Sequence, residues 1–261
     1  MSILLNSPKK IFHFHFYKNA GSSFDYILRD NFINQWAEKE FDNLEKDSKD
    51  VINWIKNSNE LNCFSSHTAK LDIINLLELN IFPVLFVRHP IDRIASVYKY
   101  EKNRQSQNWE HVLAKNSSMR EYIQARLAIE GDAQCRNFHI HRLAETFRFE
   151  LSKESIFEKA ARAVDQLPFI GVVEKFQDSL NILSSALERE GHITLKLIEV
   201  RENSTSPGDK SLITRLQEIE SELGKDFYEY LNQINKEDIL IYEKIVTGLQ
   251  CKRPVVAQVM P

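Results

Sequence analysis

Apolar residues come in short bursts set between longer amphipathic stretches. Residues 11–17 alternate phenylalanine with histidine, a period of two that predicts a strand, and the pattern stops at the polar residues 18–23 before helical spacing sets in over 24–30. Strand, tight loop, helix is the first unit. A shorter strand over 61–64 reaches Ser65, Ser66 and His67, and helical spacing follows over 69–78, which puts His67 at a second strand-to-helix junction. Residues 83–87 form an unbroken β-branched and aromatic run, as expected of a strand buried on both faces. Arg88, His89 and Pro90 end that run, with Pro90 at a favoured first position of a helix over 91–102. Helical spacing recurs over 118–130, 135–147, 154–166, 176–190, 209–222 and 226–248, and strand patterns recur over 169–173 and 195–200. Alternating strands and helices imply a parallel sheet with helices on both faces. Residues 201–208 read as a loop, and the charge-rich stretch 38–50 as a solvated helix or loop. The chain shows no internal repeat, and the expected organisation is one domain over 1–250 with 251–261 as a loosely held tail.

Composition narrows the class. A chain of 261 residues with 43% hydrophobic and 27% charged residues has enough apolar material for a sizeable core, and 7 Gly with 7 Pro are too few for a turn-dense β-sandwich. The net charge of −3 provides no global basic field for nucleic acid or an anionic membrane, so any anion site is local. The longest apolar stretch, residues 81–87, is far short of the ~20 residues of a membrane helix. The first residues lack the pattern of a secretory leader, so a soluble cytoplasmic protein is expected. Cys63, Cys135 and Cys251 are three in number with no paired short spacing, which argues against a disulfide framework and a structural zinc site.

Three predicted strands end in a polar residue of catalytic use: Lys18, His67 and Arg88. In open parallel sheets ligands bind at the carboxyl ends of the strands, so these distant positions converge. Neither 1–24 nor 79–91 contains Asp or Glu, and each segment can face an anion. The loop from Lys18 through Asn19, Ala20, Gly21, Ser22 and Ser23 opens a helix, where backbone N–H groups and the helix dipole suit a phosphate. It departs from a nucleoside-triphosphate P-loop, because Lys18 precedes the only glycine and no G-K-S/T ending follows. Taken alone, such a turn is equally a helix cap.

The stretch from Phe14 to Phe24 resembles the 5′-phosphosulfate loop, P-K-x-A-G-[ST]-[ST], of sulfotransferases that use 3′-phosphoadenosine 5′-phosphosulfate (PAPS), with Tyr17 in place of the usual Pro and Lys18 and Gly21 in register. The stretch from Val84 to Tyr98 resembles the family's 3′-phosphate segment, R-[DHK]-P-x-x-R-x-x-S-x-Y, with Arg88 and Ser96 eight residues apart. Weaker matches are Gln134 to Arg136, the G-x-x-E-x-[FL] pattern from Gly171 through Glu174 to Phe176, and a late D-x-x-x-Y at Asp238 and Tyr242. The resemblance is nearest the carbohydrate O-sulfotransferases, including the heparan 2-O type.

The resemblance implies a P-loop-like, three-layer α/β fold with a central, mostly parallel sheet. It implies that PAPS donates the sulfuryl group and leaves as 3′,5′-ADP, with no metal. Lys18 would hold the phosphosulfate bridge, the loop from Lys18 through Asn19, Ala20, Gly21, Ser22, Ser23 and Phe24 would cradle the 5′-phosphate, and Arg88 and Ser96 would grip the 3′-phosphate. His67 would act as base on an acceptor hydroxyl, for which imidazole chemistry is suited. The alternative for Arg88 is a surface ion pair with Asp92, for Ser96 without the motif a small residue in helix packing, and for His67 a cap of the helix that follows. His13 and His15 are expected to be packed or hydrogen-bonded, His89 to cap its helix, and His111, His139, His141 and His192 to have no metal spacing. A glycan or glycoconjugate is the expected acceptor, and the eleven basic against seven acidic residues over 93–153 permit an anionic one. A nucleotide kinase and a non-catalytic nucleotide-binding module are the competing readings.

Overall fold

In the computed structural model, residues 8–41, 47–147, 152–197 and 210–251 are described. Among the described residues five parallel strands lie in the order β2-β3-β1-β4-β5: β1 Lys10–Phe14, β2 Trp36–Glu38, β3 Cys63–Ser66, β4 Ile81–Val87 and β5 Gly171–Val172. Helices flank this sheet, which is the α/β architecture expected of the chain. β1 lies at the centre with Ile11 opposite Cys63 on one side and Phe82 on the other. All seven residues of β4 are buried, the signature read from its unbroken apolar run. The core joins the sheet to α1 (Gly21–Asn31), α2 (Asp47–Asn57), α7 (Phe138–Ala144), α8 (Ile156–Gln166), α9 (Phe176–Ala186) and α12 (Lys236–Cys251). A second cluster contains no strand. It packs α4 (Pro90–Asn103) with α5 (Trp109–Lys115), α6 (Met119–Leu127), α10 (Leu212–Leu223) and α11 (Lys225–Ile234), and Tyr17 touches both clusters.

Several boundaries differ from the sequence reading, each for a local reason. The alternation over 11–17 outlasts β1. The His15 N–H still reaches Ser66 O at 2.9 Å, but β3 ends there, and the Phe16 N–H turns back to Phe14 O. The helix expected over 69–78 begins only at α3 (Ile73–Glu78), because the Asp72 carboxylate accepts the Asn75 N–H at 2.9 Å and caps it, while Ala69 and Leu71 are buried ahead of it. His67 therefore opens a loop rather than a helix. The strand expected over 169–173 pairs only through Gly171 and Val172, opposite Phe86 and Val87. The strand expected over 195–200 is absent at 195–197, and 198–200 lie outside the described residues, as do 252–261 of the expected tail. The helix over 226–248 is two helices that meet at Asn235, whose buried amide donates to Cys135 O and Leu231 O. The stretch 38–50 is not simply solvated. It holds the end of β2 and the start of α2, and between them Glu40 turns toward His67, while 42–46 lie outside the described residues.

Candidate active site

The carboxyl ends of β1, β3 and β4 carry Lys18, His67 and Arg88. After β1 the chain makes a tight turn in which Lys18 (φ 61°) and Ala20 (φ 59°) both take the left-handed region. Ala20 is the N-cap of α1, no side chain caps that helix, and its first turn contains no acidic residue. The Phe24 N–H bonds Ala20 O at 3.1 Å, and by helix geometry the Gly21 and Ser22 N–H groups have no carbonyl one turn back. Such an end attracts an anion. Gly21 is required by close approach, because a Cβ there would lie 1.9–2.5 Å from atoms of the His15 ring. Lys18 Nζ stands 4.2 Å from the Tyr100 ring centroid, and burial together with the nearby Arg88 charge lowers its pKa. Two of the expected loop contacts point inward. Phe24 is fully buried against His13 and Phe86, and the Asn19 side chain, 1% exposed, bonds Tyr17 O and His139, so only the Asn19 backbone faces the loop.

Beneath this turn lies a buried hydrogen-bonded cluster. Asp25 of α1 takes His13 Nδ1 on one oxygen at 2.7 Å and His15 Nδ1 on the other at 2.8 Å. Opposing influences act on Asp25: burial pushes its pKa up, but the two histidines outweigh this and hold it well below the usual carboxylate range. An ionised carboxylate only accepts, so both rings donate from Nδ1. Burial also pushes His15 down to about 4, which leaves that ring neutral with its lone pair on Nε2. Ligand atoms of His13, His15 and Asp25 lie within 4.8 Å of one another, and Nδ1 of each ring and both carboxylate oxygens are already engaged in these bonds.

His15 in turn stacks on His67, with ring centroids 3.7 Å apart. His67 is exposed, and its Nδ1 lies 2.7 Å from Glu40 Oε1. Glu40 also accepts the backbone N–H groups of His67 and Thr68 and the Thr68 hydroxyl. Burial raises the Glu40 pKa, but these bonds overcome it and bring the carboxyl to about 2. Ionised Glu40 thus fixes His67 with N–H at Nδ1 and the lone pair at Nε2. On the other side Arg142 of α7 donates to His67 O at 3.1 Å. A cleft of about 560 Å³ adjoins Glu40, lined also by Lys39, Asp50, Asn53 and Trp54 among others.

At the β4–α4 junction Arg88 Nε pairs with Asp92 Oδ2 at 2.7 Å, the ion pair that the sequence left open, though with a partner only 3% exposed rather than at the surface. Asp92 and Ser96 are four residues apart on α4 and share a face of it, with Ser96 half-buried. His89 occupies the N-cap but does not cap with its side chain, contrary to expectation. Its buried Nδ1 has no hydrogen-bond partner among the described residues, its ring meets Tyr242 edge-on, and its backbone N–H donates to Glu174 at 2.8 Å.

The weaker motifs are struts. Glu174 accepts both the His89 N–H and the Tyr242 hydroxyl, tying the start of α4 to β5 and α12. Asp238 accepts the N–H groups of His139 and Ile140 at the start of α7 and the His139 ring, whose other nitrogen reaches Asn19 in the first loop. Sequence reasoning missed Glu40, Asp25 and the part played by His139, since each partner lies on a different element and no spacing connects them.

A family model described as Sulfotransferase family matches residues 1–244. An uncharacterized protein of Archaeoglobus fulgidus is 42% identical over 244 residues, covering 90% of this chain and 95% of its own length. No helix among the described residues is long and apolar enough to cross a membrane.

Proposed function

The chain belongs to the sulfotransferase family and is an enzyme of sulfuryl transfer, and on that premise we propose that it uses PAPS as donor and a sugar hydroxyl as acceptor. The observation that carries this reading is the convergence at one sheet edge of an uncapped helix start, two cations and a carboxylate-oriented histidine. The residues fit the nucleotide. Burial, with the Arg88 charge adding to it, lowers the Lys18 pKa, and an anion between the two cations relieves their mutual repulsion. Backbone N–H groups from Ala20 through Ser23 would take the 5′-phosphate, and Arg88 with Ser96 the 3′-phosphate.

When bound, PAPS supplies a sulfuryl group on a good leaving group. The chain's residues then do three things. His67 Nε2 accepts the proton of the acceptor hydroxyl while its Nδ1–H stays on Glu40, which stabilises the imidazolium that forms. The neutral His15 ring beneath adds no competing charge. Lys18 offsets the negative charge that develops on the departing oxygen, and its half-buried position strengthens that effect. The cleft beside Glu40 supports a polyhydroxyl acceptor, with Trp54 as an aromatic surface and Asn53 as a hydrogen-bonding group. One lysine against Glu40 and Asp50 argues for an uncharged sugar over the polyanions of the heparan 2-O type.

Calorimetry tests the donor. 3′,5′-ADP is expected to bind at low micromolar Kd or tighter, with 5′-AMP at least about tenfold weaker because it lacks the 3′-phosphate that Arg88 and Ser96 would hold. Magnesium ATP binding more tightly than 3′,5′-ADP would instead indicate a kinase. Transfer of labelled sulfate from PAPS to a panel of neutral and anionic sugars tests the reaction, and nucleotide binding without transfer to any hydroxyl would leave a binding module.

A further inference from the structure

Asp92 is shared. Arg88 reaches one of its oxygens through Nε at 2.7 Å, and Arg215 of α10 takes both oxygens with its own Nε at 3.1 Å and adds Nη2 at 3.0 Å. Arg215 is anchored in turn by Nη1, which donates to Lys210 O at 2.7 Å. Asp92 is almost fully buried, whereas Arg215 keeps 30% of its side-chain exposure. One carboxylate between two guanidiniums gives these three groups a net positive charge, next to the Glu174 carboxyl that accepts the His89 N–H and whose pKa burial raises. With Arg88 alone the pair would be neutral, and the Asp92 charge would face any anion brought to Arg88.

We propose that Arg215 is a positioning residue of the nucleotide site: by holding the Asp92 carboxylate it keeps Arg88 available to the 3′-phosphate. This rests on the reading above that Arg88 faces that phosphate. Arg88 approaches Asp92 through Nε, and the terminal nitrogens at the end of the fork are the pair suited to bidentate phosphate binding. Arg215 lies 123 residues from Asp92 in the chain, so no motif spacing reveals it.

A double-mutant cycle read by calorimetry with 3′,5′-ADP and 5′-AMP tests the proposal. Arg215→Gln is expected to weaken 3′,5′-ADP about tenfold and 5′-AMP less than about twofold. In an Asp92→Asn background, where there is no charge to hold, Arg215→Gln should change 3′,5′-ADP affinity less than about twofold. Arg215→Lys, which keeps the charge, should recover most of the loss and decides the matter even if Asp92→Asn folds poorly. Equal losses for both nucleotides, no loss at all, or an undiminished loss in the Asp92→Asn background would each overturn the role. A wild type that binds the two nucleotides equally would overturn the 3′-phosphate reading itself, whereas a discriminating wild type whose ratio survives Arg215→Gln would overturn only the inference.

Discussion

The strand-to-helix junctions after the central strand β1 and after its neighbour β4 solve the same problem with different materials. After β1 the chain spends two residues in the left-handed region, leaves α1 uncapped, and supports the turn from below with a buried Asp25 that takes hydrogen bonds from two histidines. After β4 the chain stays in ordinary backbone geometry, starts α4 with Pro90, and places a buried Asp92 between two guanidiniums. One junction is built from shape and oriented hydrogen bonds, the other from charge. The first should therefore respond to steric change and carry the chemistry, while the second should respond to charge and carry nucleotide selectivity.

The largest expected effect is at His67, which follows β3 and stacks on His15 of the first junction. His67→Ala should keep its 3′,5′-ADP affinity yet lose on the order of 10²–10⁴ in turnover, the range for a positioned proton acceptor, and the acid limb of the wild-type pH–rate profile should disappear. Asn at this position should not rescue, because an amide takes no proton. Lys18→Ala should lower kcat on the order of 10², more than it raises the donor KM, since its interaction grows as charge develops. Arg88→Ala should do the reverse. Retained turnover in a folded His67→Ala protein would remove that residue from the mechanism and break the division between the junctions.

The next effect compares binding alone. A Cβ at residue 21 must displace the His15 ring, so Gly21→Ala should distort the 5′-phosphate turn and weaken 3′,5′-ADP and 5′-AMP together, by about tenfold or more. Arg88→Ala should weaken only 3′,5′-ADP, by about 10- to 100-fold, the worth of a charged hydrogen bond. If Gly21→Ala spared 5′-AMP, the turn would not be holding the phosphate that both nucleotides share.

What was legible in the sequence follows the same division. Period-two and unbroken apolar patterns placed β1 and β4, and the loop residues between strand and helix were readable because Gly21 and Pro90 leave local signatures. β2 was not readable, since three residues at a sheet edge with one charged side chain carry too little pattern. Partners brought from another element were hidden for a physical reason. Glu40 reaches His67 across 27 residues, Asp238 reaches His139 across 99, and Arg215 reaches Asp92 across 123, distances set by tertiary packing and by no helical or strand period. Asp25 was close in sequence to His13 and His15, but the strand's turn into α1 had to be known before its carboxylate could be placed over both rings.

The smallest expected effect is on stability, and it again separates the junctions, because each has a histidine held neutral, buried His15 at the first and half-buried His89 at the second. Burial pushes both His15 and His89 down to about 4 from an ordinary value of 6.5. As pH falls below 6.5 the unfolded chain takes up these protons and the folded chain does not, so the stability present above 6.5 is lost progressively toward 4. Between pH 7 and pH 5 each contributes a loss on the order of 2 kcal/mol, or several degrees in Tm for the pair. Glu174 works in the opposite direction, since burial raises its carboxyl and the folded chain takes up that proton first, so the net slope is shallower. The two histidines then differ in what replaces them. His89→Phe keeps a ring against Tyr242 and removes a buried nitrogen without a partner among the described residues, so it should leave Tm near wild type at pH 7.5 and flatten the fall toward pH 5. His15→Phe also stops titrating, but it deprives the buried Asp25 carboxylate of a donor and should lower Tm at every pH above 5. Melting curves at constant ionic strength across this range check both. A His89→Phe protein with the full wild-type acid slope, or a His15→Phe protein as stable as wild type at pH 7.5, would show that the two junctions are not built as differently as their geometry states.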